Sequence, residues 1–221
     1  MLVNLGLTES TTESAVERLP GEVSLAFSPY AGERLQRWAE RARARGHEIL
    51  LALPMEPINY PANDPGPHTL LVAAPTRENL DRLGWVLSRA SGYVGVASYM
   101  GSRFTTSAEA LKPVFAELKK RGLMFVDSRA AARSAGAATS KELDLPYAAN
   151  DRYLDVDASR EAIDARLREV ELIARRKGAA VAIGFPHPVT IERLALWAES
   201  LEAKGLALAP ITAVARVKDG S

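Results

Sequence analysis

Short apolar runs alternate with amphipathic stretches along almost all of the 221 residues. Apolar runs of about four to eight residues, bounded by Gly, Pro or polar residues, predict strands. Stretches with an apolar residue every three or four positions predict helices, as at Leu111, Val114 and Leu118. The predicted strands are residues 2–5, 23–27, 48–53, 93–97, 123–126, 179–183 and 206–210. The predicted helices are residues 11–19, 33–44, 77–89, 108–121, 159–177 and 191–204.

At the ends of four predicted helices a basic residue precedes a glycine. A predicted strand follows each glycine within a few residues. These glycines are Gly46, Gly122, Gly178 and Gly205. A glycine in this place is typical of a left-handed helix C-cap. Repeated helix–glycine–strand units predict a mostly parallel sheet covered by helices, which is either a barrel or an open doubly wound sheet. The glycine-rich motifs of nucleotide-binding folds are absent from the sequence, so a nucleotide-binding fold has no support.

The amino-acid composition argues against some classes of binding partner. The chain has 28 basic and 27 acidic residues, a balance that gives no sign of a nucleic-acid or anionic-membrane partner. It has no cysteine, which excludes disulfides and thiolate metal sites. No segment has the length and apolar purity of a transmembrane helix, so any signal or anchor would precede Met1. Without a repeat or a linker, residues 1–221 are expected to form one domain.

Polar residues and prolines follow several predicted strands. The segments concerned are residues 28–30, 54–57, 98–105, 127–129 and 184–188. The carboxyl ends of parallel strands meet at one edge of a sheet, where α/β proteins keep their binding and catalytic residues. The long loop after residue 54 also favours a functional site, because structureless loops of this length are uncommon. The alternative is a set of ordinary turns in which Gly101 and similar residues only supply unusual backbone angles.

The same segments resemble the divergent polysaccharide deacetylase family, in order and spacing, over nearly the whole chain. The matching segments are residues 25–30, 46–48, 53–57, 100–105, 123–129 and 182–184. The resemblance implies a polysaccharide deacetylase-like distorted (β/α) barrel of about seven parallel strands. It also implies a bacterial periplasmic or cell-envelope setting and a carbohydrate substrate. Active members are implied to use a divalent metal such as zinc, held by Asp and His, which activates water against an N-acetyl carbonyl.

The sequence departs from the family where the metal ligands are expected. The family's Asp-Asp pair on the first strand corresponds to Val3 and Asn4. Its three expected histidines correspond to Ala52, Tyr99 and Phe185. A catalytic zinc site needs three protein ligands, usually His, Asp, Glu or Cys. We therefore expect no family-type metal site and no cofactor.

Several polar and aromatic residues of the family motifs remain. Glu56 and Asp127 are the candidate acid and base. The candidate sugar-binding residues are Tyr30, Tyr99, Ser102, Arg103, Arg129 and His187. An ion pair of Asp127 with one of the two arginines would bind a sugar hydroxyl or carboxylate, or would only hold loops together. Of the three histidines, His187 has the best prospect of facing the site, because it follows Phe185 by two residues.

Two classes of function stay open on the sequence. The first is a carbohydrate deacetylase acting on cell-envelope polysaccharide with a rearranged site. The second is a non-catalytic member that binds peptidoglycan, a related glycan or an envelope protein. We expect Tyr30, Glu56, Tyr99, Asp127 and Phe185 to lie around one opening of the sheet.

Overall fold

The computed structural model describes residues 1–217, in which strands and helices alternate. The strands are β1 (Leu2–Leu5), β2 (Leu25–Phe27), β3 (Ile49–Met55), β4 (Gly95–Met100), β5 (Met124–Asp127), β6 (Tyr147–Ala149), β7 (Arg152–Tyr153) and β8 (Ala182–Ile183). The helices are α1 (Glu9–Arg18), α2 (Arg34–Ala44), α3 (Thr76–Leu87), α4 (Ala108–Lys120), α5 (Gly136–Leu143), α6 (Arg160–Lys177), α7 (Pro188–Glu199) and α8 (Ile211–Val217). None of the helices within this range is long and apolar enough to cross a membrane.

The main sheet contains six parallel strands in sequence order, from β1 to β6. This arrangement confirms the α/β class that the helix–strand alternation predicts. The expected number of about seven strands is corrected to six for this sheet in the described range. The chain bends at Asp151, and β7 pairs with β8 in a separate two-stranded parallel sheet instead of extending the first one.

The strand predicted at residues 206–210 does not form. This segment makes no strand pairing in the structure of residues 1–217. Leu208 packs against the core through its side chain, and Pro210 has no N–H group to donate to a ladder. The segment leads instead into α8, where the backbone N–H of Ile211 donates to Ser24 Oγ at 3.0 Å.

The core lies on both faces of the strands. Alternate residues of β2 and β5, such as Leu25 and Phe125, belong to the large apolar layer under the helices. The residues between them, such as Ala26 and Val126, form a second and smaller apolar cluster on the inner face. Ala26, Ala97 and Ala148 are small side chains on this face.

Helix α8 covers the amino-terminal end of the inner cluster. Ile211 and Ala215 belong to this cluster, and the backbone N–H of Thr212 donates to Glu48 Oε2 at 3.0 Å. Ser24 and Glu48 each directly precede a strand, so these bonds fix α8 at the amino ends of β2 and β3. A functional site formed by several strands is therefore expected at their opposite, carboxyl ends.

Candidate functional site

The inner-face positions continue beyond the carboxyl ends of the strands. Tyr99 follows the inner-face residue Ala97 by two positions, and Phe185 follows Ile183 in the same way. Residues two apart in extended chain lie on the same face, so both aromatic rings belong to the inner face. We define the mouth by six residues within or just after the strands: Asn4 in β1, Ala52 in β3 and Tyr99 in β4, with Ser128, Asn150 and Phe185 following β5, β6 and β8.

Unusual backbone angles also occur at this end of the sheet. Asn4, Met100 and Arg129 have φ values of 64°, 57° and 53°, at or just after the ends of β1, β4 and β5. A non-glycine residue in this left-handed region costs on the order of 1 kcal/mol or more, and such strain is common at binding and catalytic sites. At Arg129 the conformation is held by its backbone N–H, which donates to Asp127 Oδ1 at 2.7 Å.

Glu56 joins the loops that follow β3 and β4. Its side chain is buried, and Oε1 accepts a hydrogen bond from Arg103 Nη1 at 2.8 Å. Oε2 accepts from the backbone N–H of Val72 at 2.6 Å. The backbone carbonyl of Glu56 also accepts from the N–H groups of Arg103 and Phe104. Both carboxylate oxygens are thus bonded to neighbouring loops.

Ser102 and Arg103 belong to the same connection. Ser102 Oγ accepts from the backbone N–H of Ile58 at 3.0 Å. The side chain of Arg103 is 53% exposed, whereas that of Glu56 is only 5% exposed. The sequence left open whether an arginine in this motif binds ligand or holds loops together. The structure places Arg103 in an ion pair with Glu56, not with Asp127.

Asp127 lies on the helix-facing side of β5. It follows Phe125 of the large apolar layer by two positions, whereas Ser128 continues the inner face. The fully buried Oδ2 accepts from the hydroxyls of Ser134 and Tyr147, the latter at 2.9 Å. With Oδ1 bonded to the Arg129 N–H, the carboxylate stabilises the loop between β5 and α5.

Hydroxyl groups connect the strands at the mouth. The Ser98 and Ser128 hydroxyls are 2.9 Å apart, and Ser98 Oγ also accepts from the backbone N–H of Ser128. Burial raises the pKa of Tyr153, and a hydrogen bond to the Ser128 side chain partly opposes this. Asn150 Nδ2 donates to the carbonyl of Ser128, and Asn150 Oδ1 accepts from the N–H of Arg152. The residues at the ends of β4, β5 and β6 are therefore fixed relative to one another.

A pocket of about 630 Å³ lies beside the mouth. It is bounded by the loop between β5 and α5 and by the segment that includes β7 and continues to α6. Its principal lining residues are Arg129, Tyr147, Asn150, Arg152, Tyr153 and Arg166. Volumes of roughly 300–1,000 Å³ are usual for small-molecule sites. Tyr147, Asn150 and Tyr153 are not among the predicted site residues, because the apolar pattern predicts neither β6 nor β7.

Tyr30 and His187 lie in different surroundings. The Tyr30 hydroxyl accepts from the backbone N–H of His68 at 3.1 Å, and the two rings pack with Trp85. The His68 ring stacks on the Trp85 ring at 3.5 Å between centroids. These contacts place Tyr30 in the packing of the long loop after β3. His187 is exposed at the start of α7, with its ring 6.3 Å from that of Phe185.

Comparison with known proteins identifies the family. The sequence profile described as divergent polysaccharide deacetylase matches residues 2–215, almost the whole chain. The chain belongs to this divergent polysaccharide deacetylase family. A solved relative is the uncharacterized protein ATU2773 from Agrobacterium tumefaciens C58, with a TM-score of 0.93 and 36% identity. That match covers 96% of this chain and 87% of the Agrobacterium chain.

Two bacterial proteins that are similar in sequence are longer than this chain. An uncharacterized protein of Haemophilus influenzae is 30% identical over 81% of this chain and 63% of its own length. The uncharacterized protein YibQ of Escherichia coli K12 is 26% identical over 82% of this chain and 56% of its own length. The match thus spans less than two thirds of each of these two relatives.

The mouth does not fit the divalent metal that the divergent polysaccharide deacetylase family implies. Its expected ligand places carry an amide at Asn4, a methyl group at Ala52 and aromatic rings at Tyr99 and Phe185. Throughout residues 1–217, no group of three or more His, Asp or Glu side chains is placed to hold a metal ion. The donor set at the mouth is therefore unlike the His and carboxylate sets of catalytic zinc sites.

The contacts of Arg103 give a first testable prediction. We expect Arg103→Ala to lower the free energy of unfolding by about 1–2 kcal/mol, because buried Glu56 loses a charged hydrogen bond. The exposure of Arg103 keeps the loss below that of a fully buried ion pair. Chemical denaturation measures the change, and Arg37→Ala on an exposed part of α2 is the matched control. Unchanged stability would contradict the loop-holding role.

Proposed function

We propose that this family member binds carbohydrate at the mouth without hydrolysing N-acetyl groups there. The observation that carries the proposal is the chemistry of the mouth, where aromatic, amide and methyl groups occupy the family's ligand places. Aromatic rings provide flat apolar surfaces for sugar rings, and neighbouring polar groups fix orientation. The half-buried rings of Tyr99 and Phe185 provide such surfaces, and the Tyr99 hydroxyl is a polar group beside them.

The surroundings of the two candidate carboxylates support binding over catalysis. A general base must reach the proton that it abstracts, directly or through one water. The oxygens of Glu56 instead accept from Arg103 and Val72, and its side chain is almost fully buried. Those of Asp127 accept from three groups on the helix-facing side of β5. Deacetylation would require the missing metal ligands, and neither Glu56 nor Asp127 has an unbonded carboxylate oxygen, so it is the less favoured function.

The proposal includes a distorted (β/α) barrel as the scaffold. Hydrogen bonds from Val3 N–H to the Gly184 carbonyl and from Gly184 N–H to the Met1 carbonyl connect β1 with the end of β8. The backbone N–H of Asp151 donates to the Val181 carbonyl, beside the β7–β8 pair. These bonds support a ring of strands around the inner face, with the mouth as its opening.

The proposed ligand is a cell-envelope glycan, as family membership suggests, and the proposed setting is the periplasm or cell envelope. A protein partner at the mouth is the alternative. The aromatic positions favour a glycan, because Tyr99 has a hydroxyl that bonds to no other group within residues 1–217. That hydroxyl is available to bond with a sugar hydroxyl. The tyrosine ring is available to pack against the face of the sugar ring.

Calorimetric titration with N-acetylglucosamine oligomers and peptidoglycan fragments tests the proposal. We expect the wild-type protein to bind at least one of these glycans. Tyr99→Ala should weaken that binding by about tenfold or more, because tyrosine anchors in an interface commonly carry a large share of the affinity. Tyr93→Phe is the control, because Tyr93 precedes β4 at the opposite end of the sheet. Absence of binding to every fragment would overturn the proposal and favour a protein partner.

A further inference from the structure

The pocket beside the mouth contains more positive than negative side chains. Arg129, Arg152 and Arg166 line it, together with a single acidic residue, Asp151. The carboxylate of Asp151 is already engaged, because Oδ1 pairs with Lys177 at 3.1 Å and Oδ2 accepts from the Val181 N–H at 3.0 Å. An anion entering the pocket therefore meets an excess of guanidinium groups.

The three arginines differ in how firmly they are held. Arg152 Nε donates to Glu169 at 2.7 Å, and Arg166 Nη1 donates to both oxygens of the same carboxylate at 3.0 Å. One glutamate thus fixes two arginines and neutralises only part of their charge. The guanidinium of Arg129 forms no ion pair or hydrogen bond with any other group in residues 1–217.

The position of Arg129 is nevertheless defined by its backbone. The residue has a φ of 53°, and its N–H donates to Asp127 Oδ1, which is fully buried. Tyr147 bonds to the other oxygen of this carboxylate and separates it from the pocket, which Tyr147 itself lines. A fixed backbone reduces the entropy lost when the side chain binds a ligand.

We propose that this pocket recognises the carboxylate of an acidic sugar residue, with Arg129 as its main cationic contact. The planar guanidinium matches a carboxylate through two parallel hydrogen bonds. The rings of Tyr147 and Tyr153 line the same pocket and supply the surface for the sugar. This inference rests on the proposed carbohydrate function and names the chemical class of the ligand. That carboxylate belongs either to the sugar ring, as in a uronic acid, or to an ether-linked lactyl group, as in muramic acid.

The test uses the whole chain and oligosaccharides matched in length. The probes are oligogalacturonate, N-acetylglucosaminyl-N-acetylmuramic acid and neutral N-acetylglucosamine oligomers. We expect at least one acidic probe to bind about tenfold or more tightly than the neutral oligomer at low salt, with a smaller difference at high salt. The preferred acidic probe identifies the source of the carboxylate.

Variants at Arg129 test the assigned residue. Arg129→Asn removes the charge and suits the left-handed backbone, since asparagine tolerates positive φ. It is expected to weaken acidic-probe binding by roughly ten- to a thousandfold, while neutral binding stays within about twofold. Arg129→Lys should lose less affinity because it keeps the charge but not the planar fork. Arg133→Gln, in the same loop but outside the pocket lining, is the matched control.

The outcomes separate this inference from the proposed function. Equal binding of acidic and neutral probes by the wild type, or full acidic binding by Arg129→Asn, would overturn the carboxylate site and leave carbohydrate binding standing. No binding of any oligosaccharide would overturn both. Circular dichroism of each variant verifies the fold, and Arg129→Lys provides a second measurement if Arg129→Asn does not fold.

Discussion

Replacing Asp127 with alanine is expected to lower the melting temperature by about 6–12 °C. The substitution leaves the Tyr147 and Ser134 hydroxyls and the Arg129 N–H without their acceptor. A fully buried donor without a partner costs about 1–3 kcal/mol, and these three bonds are partly buried, so we expect a total loss of about 3 kcal/mol. In a chain of this size each kcal/mol corresponds to a shift of about 2–4 °C. Differential scanning calorimetry measures the effect.

Asp81→Ala is the matched control for this substitution. Asp81 is exposed on α3, where alanine is a good helix former, and its replacement should change stability by less than about 0.5 kcal/mol. A stable Asp127→Ala protein that had lost a measurable activity would show that this carboxylate acts on a substrate. Such a result would contradict its assignment to the β5–α5 loop.

Replacing Glu56 with alanine is expected to cost about 2–4 kcal/mol of unfolding free energy. Two hydrogen bonds to a charged, buried acceptor are lost, one from Arg103 and one from the Val72 N–H. Because these bonds hold the ends of residues 56–72 together, limited proteolysis should cut this loop faster in the variant. Chemical denaturation and protease digestion measure the two effects.

Glu199→Ala controls for loss of a glutamate, since Glu199 is exposed at the end of α7. Glu56→Gln should be milder than Glu56→Ala, because the amide oxygen still accepts one hydrogen bond. If Glu56→Ala matched the stability and protease resistance of Glu199→Ala, the loops after β3 and β4 would not depend on this carboxylate.

The periodic pattern predicted most of the sheet but not α5 and β6. Predicted strands such as residues 23–27 and 123–126 overlap β2 and β5, because their buried apolar runs are continuous. Helix α5 buries Gly136, Thr139 and Ser140, so it lacks the apolar period by which a helix is detected. The short strand β6 follows directly and was missed with it.

The motifs predicted which residues lie at strand ends more accurately than which partners those residues bond. They placed Glu56 and Asp127 at strand ends, where the structure also has them. The motifs do not specify which groups donate hydrogen bonds to these two carboxylates. Arg103 pairs with Glu56, and Asp127 bonds to a backbone N–H of Arg129 and to two hydroxyls. Side chains alternate between the two faces of β5, so a shift of one residue would move Asp127 to the other face. The motif alone does not fix this position.

Glycan binding and acetate release, measured on the same protein, distinguish a carbohydrate-binding mouth from a metal-dependent deacetylase. The protein is mixed with N-acetylglucosamine oligomers or peptidoglycan fragments in the presence of zinc or of EDTA. We expect one of these glycans to bind with the same affinity in both conditions, and no acetate to be released in either. Zinc-dependent release of acetate that EDTA abolishes would contradict it, because the donor set at Asn4, Ala52, Tyr99 and Phe185 does not fit such a site.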